Sequence, residues 1–190
     1  MRPDRLTTLV RDLRALAPAC YGPQNVGRMM RDLRATQNDV APFVTRRPGG
    51  YTRNLVYANE HFEVMVLVWD RGARTAIHDH GDQQCWLTAV SGSFDLENYR
   101  RISGGTAPGP ARIKLYESCH RLSIGEDDYR HGDEDIHRVM VSDGCDEAIS
   151  VHVYTHPLAA CLVYDEQRDM CSKKVLSYDT VAPDRLVVNF

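Results

Sequence analysis

The most constraining feature of the sequence is the stretch from Gly72 to Gly92, which carries a His-x-His pair. After this pair, the residues up to Gly92 follow the pattern of a β-strand. Because side chains alternate between the two faces of a strand, His78 and His80 should share a face while Asp79 points to the other. Two neutral imidazoles directed at one point can form the start of a metal site.

Short strands are predicted along most of the chain that follows residue 50. Segments rich in β-branched and aromatic residues include Tyr51 to Val56, Phe62 to Trp69, Ser93 to Tyr99 and, near the end, Leu186 to Val188. Gly and Pro separate them, and Ser91-Gly92 predicts a tight turn. Many short strands with such punctuation are typical of a β-sandwich or β-barrel. The fold class is therefore predicted to be mainly β.

Two amphipathic helices are predicted before the strands. Apolar residues recur at helical spacing in two runs, Leu6, Leu9, Val10, Leu13 and Leu16, and then Val26, Met29, Met30 and Leu33. Such stripes are typical of core packing, so the helical part, residues 1–45, should cover one side of the barrel. The chain of 190 residues, 43% of them apolar, suits one domain spanning residues 1–190.

Composition argues against several classes of protein. A net charge of -3 provides no basic stripe for nucleic acid, and no apolar run approaches the roughly 20 residues that a membrane helix needs. The first residues lack the apolar core of a signal peptide. Six scattered cysteines without a CxxC pair indicate reduced thiols in a cytoplasmic protein, whereas a secreted protein with three disulfides is the alternative.

A third metal ligand is needed, and His137 is the best candidate. It lies at the start of an apolar segment about sixty residues after the His-x-His pair. A histidine in such a place, taken alone, is more often a surface or strand-end residue. The pair of histidines upstream favours the metal-ligand interpretation.

Two further strands carry polar residues that can serve a site. In the segment from Ala148 to Tyr154, alternation places Ser150, His152 and Tyr154 on one face, where they can form a hydrogen-bonded relay. An exposed strand face is the alternative. Arg53 lies in another strand pattern, where an Arg usually reaches the surface; directed into a barrel, it would present a planar fork to a carboxylate.

The stretch from Gly72 to Gly92 resembles the first sequence motif of the cupin superfamily, with one departure. Cupins carry a Glu where this chain has Cys85, five residues after His80. A site that lacks this anionic ligand must take its third ligand from elsewhere. Within the cupins, that departure points to the thiol dioxygenases, and it implies a cupin-type β-barrel, a small jelly roll.

A longer set of segments resembles the cysteine dioxygenase family, whose members are iron-dependent cupins. These segments are Tyr51-Thr-Arg53-Asn-Leu-Val, Leu67-Val-Trp69, Ile77-His-Asp-His80 with Cys85, His137-Arg-Val, and Ser150-Val-His152-Val-Tyr154 with Cys161 beyond. The resemblance implies iron(II) bound by His78, His80 and His137, and a substrate carboxylate bound by Arg53 with help from Tyr51. It also implies that Tyr154, held by His152 and Ser150, lies beside the oxygen-binding position and can form a thioether with Cys85.

The activity implied by this resemblance is the oxidation of L-cysteine by O₂ to cysteine sulfinic acid, a step of cysteine catabolism, in a monomeric enzyme. Three alternatives stay open. One is a 3-mercaptopropionate dioxygenase, although that group generally lacks an Arg at the position of Arg53. The second is a non-catalytic cupin that binds a metal and a small ligand, because one fold can host many functions. The third is a barrel that binds no metal.

Overall fold

The structure, a computed structural model, describes residues 4–132 and 134–182, except for the side chain of Cys119. Three helices come first: α1 (Arg5–Arg14), α2 (Val26–Asp32) and the short α3 (Gln37–Val40). Twelve strands follow within the described residues. The strand predicted from Leu186 to Val188 lies outside them.

The strands alternate in chain order with short turns. They are β1 (Tyr51–Ala58), β2 (Phe62–Asp70), β3 (Ile77–His78), β4 (Gln84–Ser91), β5 (Phe94–Gly104), β6 (Gly109–Leu122), β7 (Asp127–His131), β8 (Ile136–Val141), β9 (Glu147–Thr155), β10 (Ala160–Asp165), β11 (Met170–Val175) and β12 (Thr180–Val181). The predicted turn at Ser91-Gly92 joins β4 to β5. Gly92 has φ +70°, and a Cβ there would lie 2.8 Å from the Glu147 carbonyl oxygen, so only glycine fits.

The strands form two hydrogen-bonded sets. One is a six-stranded sheet in the order β12-β1-β2-β9-β4-β7, in which β12 runs parallel to β1 and the other neighbours are antiparallel. In the other, the order β10-β11-β6-β5-β8-β3 closes on itself because β3 pairs with β10. The predicted mainly β barrel preceded by N-terminal helices is confirmed.

The helices pack against the outer face of the six-stranded sheet. α1 begins after Asp4, whose carboxylate accepts a hydrogen bond from the Thr7 amide at 2.8 Å. Its buried stripe joins one apolar core with the outward residues of β2 and β9: Leu6, Leu9, Val10 and Leu13 with Val64, Val66, Val151 and Val153. These helices thus cover one face of the six-stranded sheet.

The opposite faces of the same strands form the interior. Residues at alternate positions of β2, β4 and β9 belong to a second core, which they share with β5 and β8: Met65, Leu67, Trp69, Cys85, Leu87, Tyr154, Phe94, Leu96 and Val139. Alternation thus gives each of these strands one face toward the helices and one toward the barrel interior. No helix among residues 4–132 and 134–182 is long and apolar enough to cross a membrane.

Candidate metal centre and substrate pocket

Three histidines meet inside the barrel. His78 in β3 lies directly opposite His137 in β8, and His80 lies two residues beyond the end of β3. The three rings lie with centroids 4.7–5.2 Å apart, and one nitrogen from each ring falls within 4.8 Å of the others. Asp79 points away, as predicted, and accepts hydrogen bonds from the Tyr164 hydroxyl and the Leu162 amide.

The orientation of the rings fits a metal ion. The Nδ1 atoms of His78 and His80 lie 3.0 and 3.2 Å from the carbonyl oxygens of Ala76 and Asp135, so their Nε2 atoms are free to bind an ion. His80 Nε2 is buried and has no hydrogen-bond partner in the described chain. A buried ring nitrogen without a partner is costly unless something else binds it.

Burial also keeps these imidazoles in the form that binds metals. Desolvation lowers the pKa of His78 to about 4 and lowers the pKa values of His80 and His137 well below the usual range. All three are therefore neutral near pH 7, with a lone pair on one nitrogen each. Nitrogen ligands of this kind suit iron, zinc, copper and nickel.

A cavity of about 50 Å³ opens in front of the histidines. One ordered water needs roughly 10–15 Å³ of such volume, so the cavity suits a small molecule. Residues predicted for the site line it together with apolar neighbours: Tyr51, Arg53, His78, His80, Cys85, His137, His152 and Tyr154, with Leu67, Trp69, Leu87, Val139 and Leu158. Ser150 is buried behind this wall.

Cys85 and Tyr154 lie directly opposite each other on the antiparallel strands β4 and β9. Both side chains are buried, and each affects the pKa of the other. Burial raises the pKa of the Cys85 thiol to about 12 and raises the pKa of the Tyr154 hydroxyl further above its usual range. Both groups are therefore protonated near pH 7, and they are adjacent in the wall of the cavity.

The hydrogen-bonded relay on β9 differs from the prediction. Ser150 Oγ lies 2.9 Å from His152 Nε2 and accepts a hydrogen bond from Trp69 Nε1 at 2.9 Å. The rings of His152 and Tyr154 instead stack at 6.2 Å, and His152 Nδ1 has no hydrogen-bond partner among the described residues. The relay thus runs from Trp69 through Ser150 to His152 and does not reach Tyr154.

Arg53 points into the barrel and only 8% of it is exposed. Its guanidinium donates to the Ser177 carbonyl at 3.4 Å and lies 3.7 Å from the Glu63 carboxylate. Tyr51, two residues earlier on the same face of β1, stacks on Trp69 at 4.5 Å. The two side chains thus present a cation and a hydroxyl-bearing ring to the cavity.

Two charged pairs near the cavity were not predicted. Glu63 is fully buried beside Arg53, and Asp128 and Arg130 form a buried pair on β7. Glu63 lies in an apolar run, and its hydrogen-bond partners Leu158 and Tyr178 are 95 and 115 residues away. β7 has too few apolar residues to be predicted as a strand. Alternation of Asp128 and Arg130 around Tyr129 was the one available signal.

Sequence comparisons identify known proteins with matching chains. A family model described as Cysteine dioxygenase type I matches residues 2–167. Cysteine dioxygenase type 1 of Danio rerio is 27% identical over 176 residues, which cover 88% of this chain and 82% of that protein. The protein of the same name from Bos taurus is 26% identical over 185 residues, covering 94% of this chain and 88% of its own.

A structural comparison finds a Klebsiella pneumoniae protein with a double-stranded β-helix domain. Its TM-score is 0.49 and its sequence identity is 22%, over 65% of this chain and 87% of that chain.

Proposed function

This chain belongs to the cysteine dioxygenase type I family, and we propose that it oxidises L-cysteine with O₂ to cysteine sulfinic acid at a non-haem iron(II) centre. The family and the names of the relatives identify a thiol dioxygenase. The observation that carries the proposal is the convergence of His78, His80 and His137 in one cavity that Arg53 also lines.

We propose His78, His80 and His137 as the iron ligands. Three neutral imidazoles leave the double positive charge of the ion uncompensated, so the site favours an anionic substrate group such as a thiolate. Bound there, iron(II) supplies the Lewis acidity that deprotonates a thiol and the redox chemistry by which O₂ reacts with sulfur. The carbonyls of Ala76 and Asp135 hold two of the rings in the tautomer that binds through Nε2.

Arg53 and Tyr51 are proposed to bind the substrate carboxylate. A guanidinium presents two parallel N–H groups to a carboxylate, and a buried pair of this kind is stronger than one in water. Ser177 and Glu63 hold the Arg53 side chain from behind. The carboxylate contact would orient the thiol toward the histidines and would favour cysteine over thiols that lack a carboxylate.

Tyr154, His152 and Ser150 are proposed to act on the oxygen side of the site. The protonated Tyr154 hydroxyl can donate a hydrogen bond to a bound oxygen atom or to the substrate. His152 Nδ1 is a buried nitrogen without a partner in the described chain, so it can form a hydrogen bond with a ligand or with Tyr154 after a small movement. Ser150 holds the other ring nitrogen, Nε2, at 2.9 Å.

Cys85 and Tyr154 are proposed to form a thioether during turnover. The bond would join Cys85 Sγ to a ring carbon of Tyr154, with loss of two hydrogen atoms to O₂ as oxidant. Their cross-strand pairing supports the proposal, because side chains of directly opposite residues have Cβ atoms about 4.5–5.5 Å apart.

The test is oxygen uptake by the iron-loaded protein with L-cysteine, 3-mercaptopropionate or cysteamine, with the product identified by NMR. We expect uptake matched by cysteine sulfinate, and faster turnover of L-cysteine than of the other two thiols. Preference for 3-mercaptopropionate would assign the alternative dioxygenase activity. Bound iron without uptake on any thiol would favour the non-catalytic cupin.

The predictions of a monomer in the cytoplasm, without nucleic-acid or membrane partners, are part of the proposal. The net charge of -3 and the free thiols of the five cysteines with described side chains support it. Light scattering after size-exclusion chromatography would test the monomer, with an elution mass of 21.5 kDa expected.

A further inference from the structure

The three clustered histidines differ in the hydrogen-bond partner of Nδ1. His78 and His80 each place Nδ1 near a backbone carbonyl, at 3.0 and 3.2 Å. His137 Nδ1 is buried and has no hydrogen-bond partner in the part of the chain that the structure describes. A histidine that binds a metal almost always donates its other N–H to a carboxylate, a carbonyl or a water.

A carboxylate lies next to this nitrogen. Asp128 Oδ2 is 3.9 Å from His137 Nδ1, and Asp128 also lines the cavity. Strand register explains its position. In β7, Asp128 lies opposite Leu87 of β4, whose side chain faces the cavity, while the next residue, Tyr129, lies opposite Trp86 under the helices. Alternation therefore directs Asp128 into the barrel.

Arg130 holds this carboxylate from the other side. It also points inward, opposite Cys85, and donates from Nε to Asp128 Oδ2 at 2.7 Å and from Nη2 to Oδ1 at 2.8 Å. Only 8% of the Arg130 side chain and 12% of the Asp128 side chain are exposed. A buried carboxylate needs such pairing to stay charged, and each of its oxygens keeps a lone pair for a further donor.

We propose that Asp128 is a positioning residue that accepts a hydrogen bond from His137 Nδ1–H in the metal-bound protein, with Arg130 holding the carboxylate in place. The inference rests on the proposed function, since it takes the three histidines as metal ligands. Closing the separation from 3.9 Å to the roughly 2.8 Å of a charge-assisted bond needs a shift of about 1 Å, within reach of side-chain rotation. The bond would fix the tautomer and raise the basicity of the ligand.

The experiment compares metal binding by wild type and Asp128→Ala. Affinity for Fe(II) and for Co(II) is measured without oxygen, by competition with a chromogenic chelator, and the visible spectrum of the Co(II) protein is recorded. We expect about 10–100-fold weaker binding in Asp128→Ala and a changed Co(II) spectrum, because a carboxylate partner on a metal-bound histidine typically contributes that much. Unchanged affinity and spectrum would overturn the proposal.

The chain offers a matched control in Asp95. Its carboxylate is paired with Arg121 at 2.8 Å and is 14% exposed, close to the values for Asp128, but it lies outside the cavity lining. Asp95→Ala should therefore bind metal as wild type does. An equal loss in Asp95→Ala would show that removal of a carboxylate from an Asp–Arg pair weakens the site generally, against a specific role for Asp128.

A second comparison separates positioning from general destabilisation. In a His137→Ala background, Asp128→Ala should cause no further loss of metal affinity, because its effect acts through His137. A further loss as large as in wild type would contradict the proposal. If Asp128→Ala does not fold, Asp128→Asn keeps the volume and loses the charge, and it should still bind metal several-fold more weakly.

The outcomes distinguish this inference from the proposed function. Wild-type protein that binds neither Fe(II) nor Co(II) would remove the metal site and both proposals with it. Wild-type protein that binds metal and oxidises cysteine, together with Asp128→Ala at wild-type affinity, would reject only the role of Asp128.

Discussion

At the scale of single residues, Arg53 is held in the wall of the cavity by groups that come from distant parts of the chain. Glu63 lies 3.7 Å from its guanidinium, and the Tyr178 ring lies 5.4 Å from it. The Glu63 carboxylate in turn accepts hydrogen bonds from the Tyr178 hydroxyl and from the Leu158 amide. Desolvation raises the pKa of Glu63, while these donors and Arg53 lower it. The sequence alone predicted Arg53 but not this support, because the partners of Glu63 are 95 and 115 residues away.

Replacement of Arg53 should therefore affect substrate binding selectively. Breaking a buried charge-assisted pair with the substrate carboxylate costs roughly 2–5 kcal/mol, so Arg53→Ala should lose at least about tenfold in kcat/KM for L-cysteine. Steady-state oxygen uptake measures this loss. Cysteamine, which has no carboxylate, is the control, and its kcat/KM should change much less.

Two results would contradict this role of Arg53. An unchanged kcat/KM for L-cysteine would remove Arg53 from the substrate site. An equal loss with cysteamine would assign the effect to the barrel wall, where Glu63 would be left without its cation.

At the scale of secondary structure, the central strand β9 joins the two cores and the site. Alternation along it was predicted correctly: Val151 and Val153 face the helices, whereas His152 and Tyr154 face the cavity. The sequence could not show that the partner of Ser150 is Trp69, because that depends on the register of β9 against β2. In the structure, Ser150 lies opposite Leu67, which brings Trp69 within reach.

Ser150→Ala should destabilise the fold. It removes the hydroxyl shared by Trp69 and His152 and leaves two buried polar nitrogens unpaired, which should lower the free energy of unfolding by about 1–3 kcal/mol. Urea denaturation of the metal-free protein measures this. Thr88→Val is the control, because the Thr88 hydroxyl is buried without a partner among the described residues and its removal should cost little or stabilise. Equal costs would show that the Ser150 bonds contribute no more than an unpaired hydroxyl does.

The pairing of β4 with β9, which places Cys85 opposite Tyr154, supports the proposed thioether. After turnover with iron, cysteine and O₂, intact mass spectrometry should show a fraction lacking two hydrogen atoms, and a tryptic map should join the peptides of Cys85 and Tyr154. The species should be absent in Cys85→Ala and in Tyr154→Phe. Cys161→Ala is the matched control, since Cys161 is also buried and lines the same cavity. Loss of the species in Cys161→Ala alone would place the bond elsewhere.

At the scale of the whole molecule, the sequence predicted the elements whose burial follows a simple period. The amphipathic helices and the alternating strands were predicted because each of them turns a regularly spaced set of apolar residues toward a core. β7 was missed because its inward residues, Asp128 and Arg130, are charged and pair with each other. β12 consists of two residues whose pairing with β1 joins segments 126 residues apart, as at Asn54 and Thr180. Such long-range pairing leaves no local pattern.

The buried neutral imidazoles of the site predict how the whole fold responds to acid. Desolvation lowers the pKa of His152 to about 3 and lowers those of His80 and His137 well below the usual range. In the unfolded chain these groups have pKa values near 6.5. Below that pH the unfolded state binds more protons than the folded state, so the free energy of unfolding decreases as the pH is lowered. Glu63 and Asp128, whose pKa values burial raises, act in the opposite direction closer to pH 4.

The metal-free protein should therefore lose stability between about pH 6.5 and pH 5, by up to roughly 1.4 kcal/mol per pH unit for each of these histidines. Urea midpoints measured across this range test the expectation. In His80→Gln, the free energy of unfolding should change less steeply with pH, by about the contribution of one histidine. A metal that binds only the folded state adds about 2.7 kcal/mol at a free concentration of 100 Kd. Because the proposed metal would bind His80 and His137, two of the neutral imidazoles that acid must protonate, chelation should make the fold sensitive to mild acid and saturating Fe(II) should protect it. A pH-independent midpoint for the metal-free protein would mean that the histidines are hydrated and protonate freely in the folded state.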